Sequence, residues 1–138
     1  MSNRTFTIIK PDSVRKGNFG RIISRLEAEG FRILGVKKVA LARRQAEAFY
    51  AVHKERPFFG SLVEYMTSGP VYVAALERDN AVASLRQVMG ATDPAKADAN
   101  TIRKEFGESI EQNAIHGSDS DENAKIEIGF FFAESELV

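Results

Sequence analysis

The stretch Val71–Glu77, with the sequence VYVAALE, carries the clearest β-strand signal in the chain. It is an apolar run rich in valine, and turn-forming residues stand on both sides of it. Asn80 is a residue type that begins helices, and Gly90 is one that ends them, so the pattern between them predicts a helix. The sequence therefore predicts a strand followed at once by an amphipathic helix.

Two more elements are predicted near the start of the chain. A strand over Thr5–Lys10 stops at the turn-forming pair Pro11-Asp12, which leaves Lys10 at the end of the strand. A helix is predicted over Phe19–Glu29, where the apolar residues keep helical spacing and a glycine follows the last turn.

The segment Phe31–Leu41 predicts a second strand, with a bend or bulge near Gly35. One face of that strand is expected to hold the apolar residues Phe31, Ile33, Val39 and Leu41. A helix around residues 46–53 must end before Arg56-Pro57, because the residue before a proline disfavours the helical region. A short amphipathic helix is predicted over Gly60–Thr67.

Regular patterning is lost between Gly90 and Ile115, where large apolar residues are few and turn formers are frequent. A long irregular stretch inside a compact domain is usually functional or disordered. One helical turn is predicted there, over Thr101–Phe106. A fourth strand over Ala114–Gly117 and a last helix over Ser118–Phe131 complete the predicted elements.

The predicted order, β-α-β-α-α-β-α-β-α, favours one α+β domain over residues 1–138. It is typical of the split βαβ, or ferredoxin-like, arrangement. We expect a four-stranded antiparallel sheet with helices on one face and a long irregular loop before the last strand. Because a sheet cannot keep a large apolar face in water, an uncovered second face predicts self-association.

The composition excludes several classes of protein. The 138 residues carry 19 basic and 19 acidic side chains, and zero net charge argues against a protein that neutralises nucleic-acid phosphates or anionic lipid. The absence of cysteine removes disulfides, a thiolate nucleophile and a thiolate zinc site, and it fits a reducing compartment. Without a secretory h-region or an apolar run of about 18 residues, the expected location is the cytoplasm, not a membrane.

The strongest candidate for chemistry is His116, in the stretch Asn113–Ser120, NAIHGSDS. From the residues alone, this histidine is either a displayed reactive group or a strand-end residue bonded to its own backbone neighbours. Cations suited to a polyphosphate stand elsewhere in the sequence, at Lys10, Arg56, Arg86 and Arg103. Phosphoryl transfer needs such cations in a cluster, but their spacing does not show whether they converge.

Several long motifs in the same order together resemble those of the nucleoside diphosphate kinase family. They are TIIKPD at 7–12, RPFFG at 56–60, MTSGPV at 66–71, GATDP at 90–94, TIR at 101–103 with FG at 106–107, and NAIHGSDS at 113–120. The resemblance spans essentially the whole chain. It implies a ferredoxin-like fold, a nucleoside di- or triphosphate substrate carrying Mg²⁺, a homo-oligomer built from dimers as a tetramer or hexamer, and double displacement through a phosphohistidine.

The same resemblance implies a role for particular residues. His116 matches the histidine that accepts the phosphoryl group, with Glu127, Ser118 and Tyr50 around it. The phosphates and the sugar are matched to Lys10, Arg86, Thr92, Arg103 and Asn113. The base is matched to Phe58, on which it stacks, and to Leu62 and Ile110. Mg²⁺ is expected on the nucleotide phosphates, with Asp119 as the candidate residue near it.

Other interpretations remain open beside this one. Gly17–Gly20, GNFG, matches the short motif that KH domains use on RNA, and favours a non-catalytic binding module. The acidic stretch Asp119–Glu122 favours a Mg²⁺-dependent hydrolase, although acidic residues at a helix start are commonplace. We interpret His53 as a structural residue. Asn100 replaces a common glycine of the family and is expected to keep a left-handed turn. No carboxylate or amide is evidently reserved for reading the base, so broad base tolerance is expected.

Overall fold

The computed structural model describes residues 3–138 and contains a four-stranded antiparallel sheet in the order β2-β3-β1-β4. The strands are β1 (Arg4–Ile9), β2 (Arg32–Val39), β3 (Val71–Glu77) and β4 (Ile115–Gly117). Strands β2 and β3 are adjacent, whereas β1 and β2, and likewise β3 and β4, are not neighbours although they follow one another in the chain. This order is the ferredoxin-like one. The predicted α+β fold class is confirmed.

The helices match the predicted ones within one to three residues at most ends. They are α1 (Pro11–Arg15), α2 (Phe19–Ala28), α3 (Arg43–Phe49), α4 (Phe59–Met66), α5 (Ala81–Met89), α6 (Ile102–Phe106) and α7 (Asp121–Phe131), with 3₁₀ turns at Ala51–His53, Pro94–Lys96 and Glu134–Glu136. Helix α1 was not predicted. It begins with Pro11 in its first turn, where the missing N–H of proline does no harm.

The expectation that helices cover one face of the sheet is wrong. On one face, Ile9, Leu76 and Ile115 pack with residues of α2 and α5. On the other face, Phe6, Ile8 and Val73 pack with residues of α4 and α7. The cause is visible in β1, which is buried at every position from Thr5 to Ile9, so both sides of this central strand need cover. Self-association therefore cannot be inferred from a bare sheet face.

A β-bulge in β2 explains why the face predicted for the apolar residues of this strand is wrong. Ile33 pairs with Leu76 and Gly35 with Ala75, so Leu34 is an extra residue without an opposite partner. Because one inserted residue reverses the alternation of side chains, Ile33 packs on the α2–α5 side whereas Val39 packs on the α4–α7 side. The bulge near Gly35 is confirmed, but the shared face predicted for the apolar residues of this strand is wrong.

The helix caps and the turn that the sequence predicts at Ser120, Asn80 and Asn100 are observed in part. Ser120 caps α7, and its Oγ accepts a hydrogen bond of 3.0 Å from the Asn123 N–H. Asn100 has a φ of 69°, so the left-handed turn expected there is confirmed. Asn80 precedes α5 as predicted, but it is left-handed and makes no side-chain capping bond. Among residues 3–138, no helix has the length and apolarity needed to cross a membrane.

Candidate active site

A cleft of about 750 Å³ opens beside the short edge strand β4. It is lined by almost every residue that the family resemblance assigned, namely Lys10, Tyr50, Phe58, Leu62, Arg86, Thr92, Arg103, Ile110, Asn113, His116, Asp119 and Glu127. Ser118 does not line the cleft, because its side chain is fully buried beneath it. Arg56 is exposed and is not among the lining residues, so the cluster of cations consists of Lys10, Arg86 and Arg103.

His116 reaches the cleft because β4 pairs with β1, opposite Ile8. Its Nε2 lies 2.8 Å from Glu127 Oε1, and the same oxygen accepts a 2.7 Å hydrogen bond from Ser118 Oγ. A carboxylate can only accept, so a neutral imidazole in this position carries its proton on Nε2. Its lone pair is then on Nδ1. In a neutral imidazole this contact would leave Nδ1 with an oriented lone pair, and such a lone pair can act as a nucleophile without a further base.

Aromatic rings fix the plane of the imidazole. Phe6 and Phe49 stand edge-on to His116, with ring centroids 6.2 Å and 5.7 Å away. Tyr50 packs against Phe49 and lines the cleft, and its buried hydroxyl has no hydrogen-bond partner. Burial, followed by the charge of Glu127, raises the pKa of Tyr50 well above its ordinary range. The phenol therefore stays protonated, and its hydroxyl is a buried donor without a partner beside the cleft.

The turn that delivers β4 is a strained one. Ala114 has a φ of 77°, and the Ile115 N–H donates to the Asn113 carbonyl across it at 2.9 Å. A three-residue γ-turn with positive φ is rare and strained for a residue with a Cβ. The turn directs the Asn113 amide inward. Its Oδ1 accepts a hydrogen bond of 2.7 Å from Lys10 Nζ, and its Nδ2 donates one of 3.0 Å to the Thr92 carbonyl.

Positive charge converges at the inner end of the cleft. Burial, and then the charge of Arg103, lower the pKa of Lys10 to about 8. Burial, and then the charge of Arg86, lower the pKa of Arg103 to about 10. The two guanidinium groups donate to backbone carbonyls near β4, Arg103 to Ile115 at 2.9 Å and Arg86 to Gly117 at 3.4 Å. Lys10 and Arg103 are buried whereas Arg86 is exposed. Because these like charges repel one another, this end of the cleft favours an anion.

The outer end of the cleft is apolar and aromatic. Phe58 is 44% exposed and Ile110 is 62% exposed, and both line the cleft together with Leu62. Exposed large apolar side chains at the mouth of a cleft are suited to a flat ring. A ligand that fits both ends has an aromatic group outside and a chain of anionic groups inside.

Sequence reasoning missed some residues of this cleft. His53 also lines it, with its ring 5.4 Å from that of Phe58, so its place is at the mouth of the site. Glu111 lines the cleft on the apolar side, where its carboxylate accepts hydrogen bonds from Ser61 Oγ at 2.9 and 3.2 Å. A carboxylate is therefore present where the sequence indicated none. Neither residue belongs to a motif that spacing alone singles out.

The rival interpretations receive little support from the geometry. Across residues 3–138, no group of three or more His, Asp or Glu side chains is arranged to hold a metal ion, and Asp119 bonds Asn123 Nδ2 at 2.6 Å. Around the GNFG stretch, Lys16 forms an ion pair with Glu108 at 2.9 Å, and Arg21 donates to Asn18 at 3.1 Å. These basic side chains are engaged within the protein and lie outside the cleft.

Comparison with known proteins identifies what the chain resembles. A family model described as nucleoside diphosphate kinase matches residues 3–137. A nucleoside diphosphate kinase of Granulibacter bethesdensis is 62% identical over 135 residues, covering 98% of this chain and 96% of that protein. Among solved structures, the Aquifex aeolicus nucleoside diphosphate kinase superposes with a TM-score of 0.97 at 45% identity, covering 100% of both chains. The Halobacterium salinarum nucleoside diphosphate kinase in complex with CDP gives 0.95 at 41% identity, covering 100% of this chain and 92% of that one.

Proposed function

Because the chain belongs to the nucleoside diphosphate kinase family and is an enzyme that transfers phosphate between nucleotides, we propose that it does so by a ping-pong mechanism through a phosphohistidine on His116. The observation that carries the proposal is the 2.8 Å contact between His116 Nε2 and Glu127 Oε1, beside a cluster of cations. The contact leaves Nδ1 as the nucleophile, and the cations supply the charge that a triphosphate needs.

In the first half of the reaction, the Nδ1 lone pair attacks the γ-phosphorus of a nucleoside triphosphate. The bond from that phosphorus to the bridging oxygen breaks, and the diphosphate leaves with the bonding electrons. The imidazole gains positive charge as the new N–P bond forms, and the Glu127 carboxylate stabilises that charge through the Nε2 proton. In the second half, a terminal phosphate oxygen of another diphosphate attacks the phosphohistidine and frees His116.

The nucleotide is proposed to lie along the cleft with its phosphates inward. Lys10, Arg86, Thr92, Arg103 and Asn113 would hold the phosphates and the sugar 3′-hydroxyl, since their side chains line the cationic end. The base would stack on Phe58 between Leu62 and Ile110. The CDP complex of the Halobacterium salinarum relative supports a nucleotide as the ligand.

Mg²⁺ is proposed to arrive as part of the substrate, bound to the nucleotide phosphates. This ion keeps several waters and takes phosphate oxygens plus one or two carboxylates. Asp119, which is exposed and lines the cleft, is the single carboxylate that we assign to its surroundings. Within the described residues the acidic side chains form no cage that would bind it without the nucleotide.

We further propose that residues 1–138 form one catalytic domain that acts in the cytoplasm as a homo-oligomer built from dimers, a tetramer or a hexamer. The sheet ends at β2, an edge strand whose Val36 is 46% exposed. The Leu34 carbonyl of this edge accepts from the Val138 N–H at 3.0 Å, and free backbone groups elsewhere along a strand edge favour pairing with another chain. Light scattering at micromolar concentration tests the assembly. A monodisperse monomer would contradict it.

The function is tested by incubating the protein with γ-labelled ATP and no acceptor. A ping-pong phosphotransferase yields a labelled protein, a binding module yields nothing, and a hydrolase yields free phosphate. The label is expected to be lost in acid and kept in alkali, and His116→Ala is expected to abolish both label and transfer. His53→Ala is the matched control, because it removes the other imidazole of the cleft and should leave the label. An alkali-labile phosphate, or full activity in His116→Ala, would move the phosphate to Ser118 or Ser120.

A further inference from the structure

Asp12 lies beneath the cleft and does not line it, since its side chain is only 1% exposed. Its Oδ2 accepts a 3.1 Å hydrogen bond from the Ala114 N–H, and its Oδ1 accepts one from the Tyr65 hydroxyl. The Asp12 N–H donates to the same hydroxyl at 3.2 Å. A buried carboxylate is costly unless it is fully hydrogen-bonded, so these contacts explain how Asp12 is tolerated and what it holds.

Asp12 holds the strained turn at Ala114, which precedes His116. The Ala114 carbonyl accepts a hydrogen bond of 2.9 Å from the Lys10 N–H, and the Ala114 N–H donates to Asp12 Oδ2. Both backbone groups of Ala114 are therefore bonded to the β1–α1 junction. A residue with positive φ persists only where its surroundings over-determine it. Asn113, whose side chain bonds Lys10, precedes Ala114 directly, and His116 follows two residues later.

We propose that Asp12, oriented by Tyr65, is a positioning residue: it clamps the Ala114 turn and thereby holds the Asn113 amide and the Lys10 ammonium toward the phosphates. This inference rests on the proposed function and concerns the phosphate end of the same site. Asp12 touches neither the cleft nor His116, so it acts only through its neighbours.

Because Asp12 is charged, the proposal predicts a change in the pH dependence of kcat/KM that a merely structural role would not produce. The charged groups that act on Lys10 are Arg103, which favours the neutral amine, and Asp12 and Glu111, which favour the ammonium. With these groups and burial together, Lys10 has a pKa of about 8. The ammonium is the form that binds phosphate, so kcat/KM is expected to fall as the pH rises through that value. Without the Asp12 charge, the fall begins at lower pH.

The experiment compares Asp12→Asn, Tyr65→Phe and Ser13→Ala in the full-length enzyme, with kcat/KM for ATP measured between pH 6 and pH 10. Asp12→Asn is expected to reduce kcat/KM by roughly 10- to 100-fold, which is the scale of a misplaced catalytic constellation. It should also move the alkaline fall to lower pH by about half a unit or more. Tyr65→Phe keeps the carboxylate, so it should lower kcat/KM less and leave the alkaline fall where it is.

Ser13→Ala is the matched control, because Ser13 is a fully buried neighbour in α1 whose hydroxyl has no hydrogen-bond partner. It should behave as the unmodified enzyme. An Asp12→Asn enzyme with an unmoved pH profile, or with the same loss as Ser13→Ala, would overturn the positioning role. The proposed function fails separately, when the unmodified enzyme forms no label on His116.

Discussion

Replacing Glu127 by glutamine tests how the site activates its nucleophile. The change keeps the size of the side chain and a carbonyl oxygen that can still accept from His116 Nε2, but it removes the negative charge. In the first half-reaction the imidazole becomes positively charged, so the loss is felt mainly in the transition state. The rate of phosphoenzyme formation is therefore expected to fall more than the affinity for nucleotide.

The size of the effect follows from the bonds that Oε1 accepts, 2.8 Å from His116 and 2.7 Å from Ser118. A hydrogen bond to a charged group contributes about 1.5–3 kcal/mol and a neutral one about 0.5–1.5 kcal/mol. The side chains of His116 and Glu127 are 21% and 19% exposed, so solvent screens part of the charge and the lower part of the range applies. A difference of about 1–1.5 kcal/mol corresponds to roughly 10-fold in rate.

Glu127→Ala is expected to be more severe, because it removes the acceptor altogether. The proton of the imidazole is then free to move to Nδ1, and the fully buried Ser118 hydroxyl is left without its partner. We expect a loss of about 100- to 1000-fold, corresponding to about 2.7–4 kcal/mol. Label should still accumulate, because His116 remains able to attack.

Rapid-quench measurement of label transfer from γ-labelled ATP, in a single turnover, separates this step from product release. Glu122→Gln is the matched control, since it removes a carboxylate from an exposed position on the same helix, α7. Rates within twofold of the unmodified enzyme for both Glu127 variants would refute the proposed role of the carboxylate. A folded Glu127→Ala enzyme that never accumulates label would do so as well.

The remaining predictions concern the base and the backbone. Phe58→Ala should raise the KM for purine and pyrimidine diphosphates alike by roughly 10-fold, because stacking contributes about 1–3 kcal/mol per base, as steady-state kinetics will show. Glu111→Gln should change the ratio of kcat/KM between purine and pyrimidine diphosphates by less than about 10-fold; a ratio above about 1000-fold in the unmodified enzyme would contradict broad base tolerance. Gly90→Ala should lower the free energy of unfolding in urea by about 2 kcal/mol or more, because φ is +88° and the new Cβ would lie 2.6 Å from Thr101 Cβ. Gly20→Ala is its control, since no atom lies within 4 Å of the new Cβ, and it should be neutral or stabilising by up to about 1 kcal/mol.

Local patterns predicted the elements of this fold well and their packing less well. The strand Val71–Glu77 is observed with the predicted bounds, because a short apolar run between turn formers depends only on nearby residues. Which face of the sheet a residue occupies depends also on irregularities. The extra residue Leu34 reversed the faces of β2, and its effect on Val39 requires knowledge of the pairing with β3. The packing of α4 and α7 on the second face of the sheet likewise could not be predicted from nearby residues.

The candidate site likewise contains features that the sequence predicted and others that depend on the three-dimensional structure. Motifs predicted the residues that line the cleft, such as His116 and Phe58, since each stands in a recognisable stretch of sequence. The motifs did not predict the contacts of Asp12, which reach 53 residues along the chain to Tyr65 and 102 residues to Ala114. Such pairs become visible only when the topology brings the β1–α1 junction against the turn before β4.

The topology also explains why an unfavourable turn and a set of repelling cations occur in one place. Strand β4 is short and lies at the sheet edge, so its position depends on pairing with β1 and on the clamp around Ala114. Lys10 follows the last residue of β1 directly, and backbone carbonyls of β4 accept hydrogen bonds from Arg86 and Arg103. One edge therefore fixes the nucleophile relative to all three cations. Under the proposed function, a bound triphosphate would relieve the repulsion among the cations and bring its γ-phosphorus to Nδ1, so that the binding energy of the phosphates would align the reacting atoms.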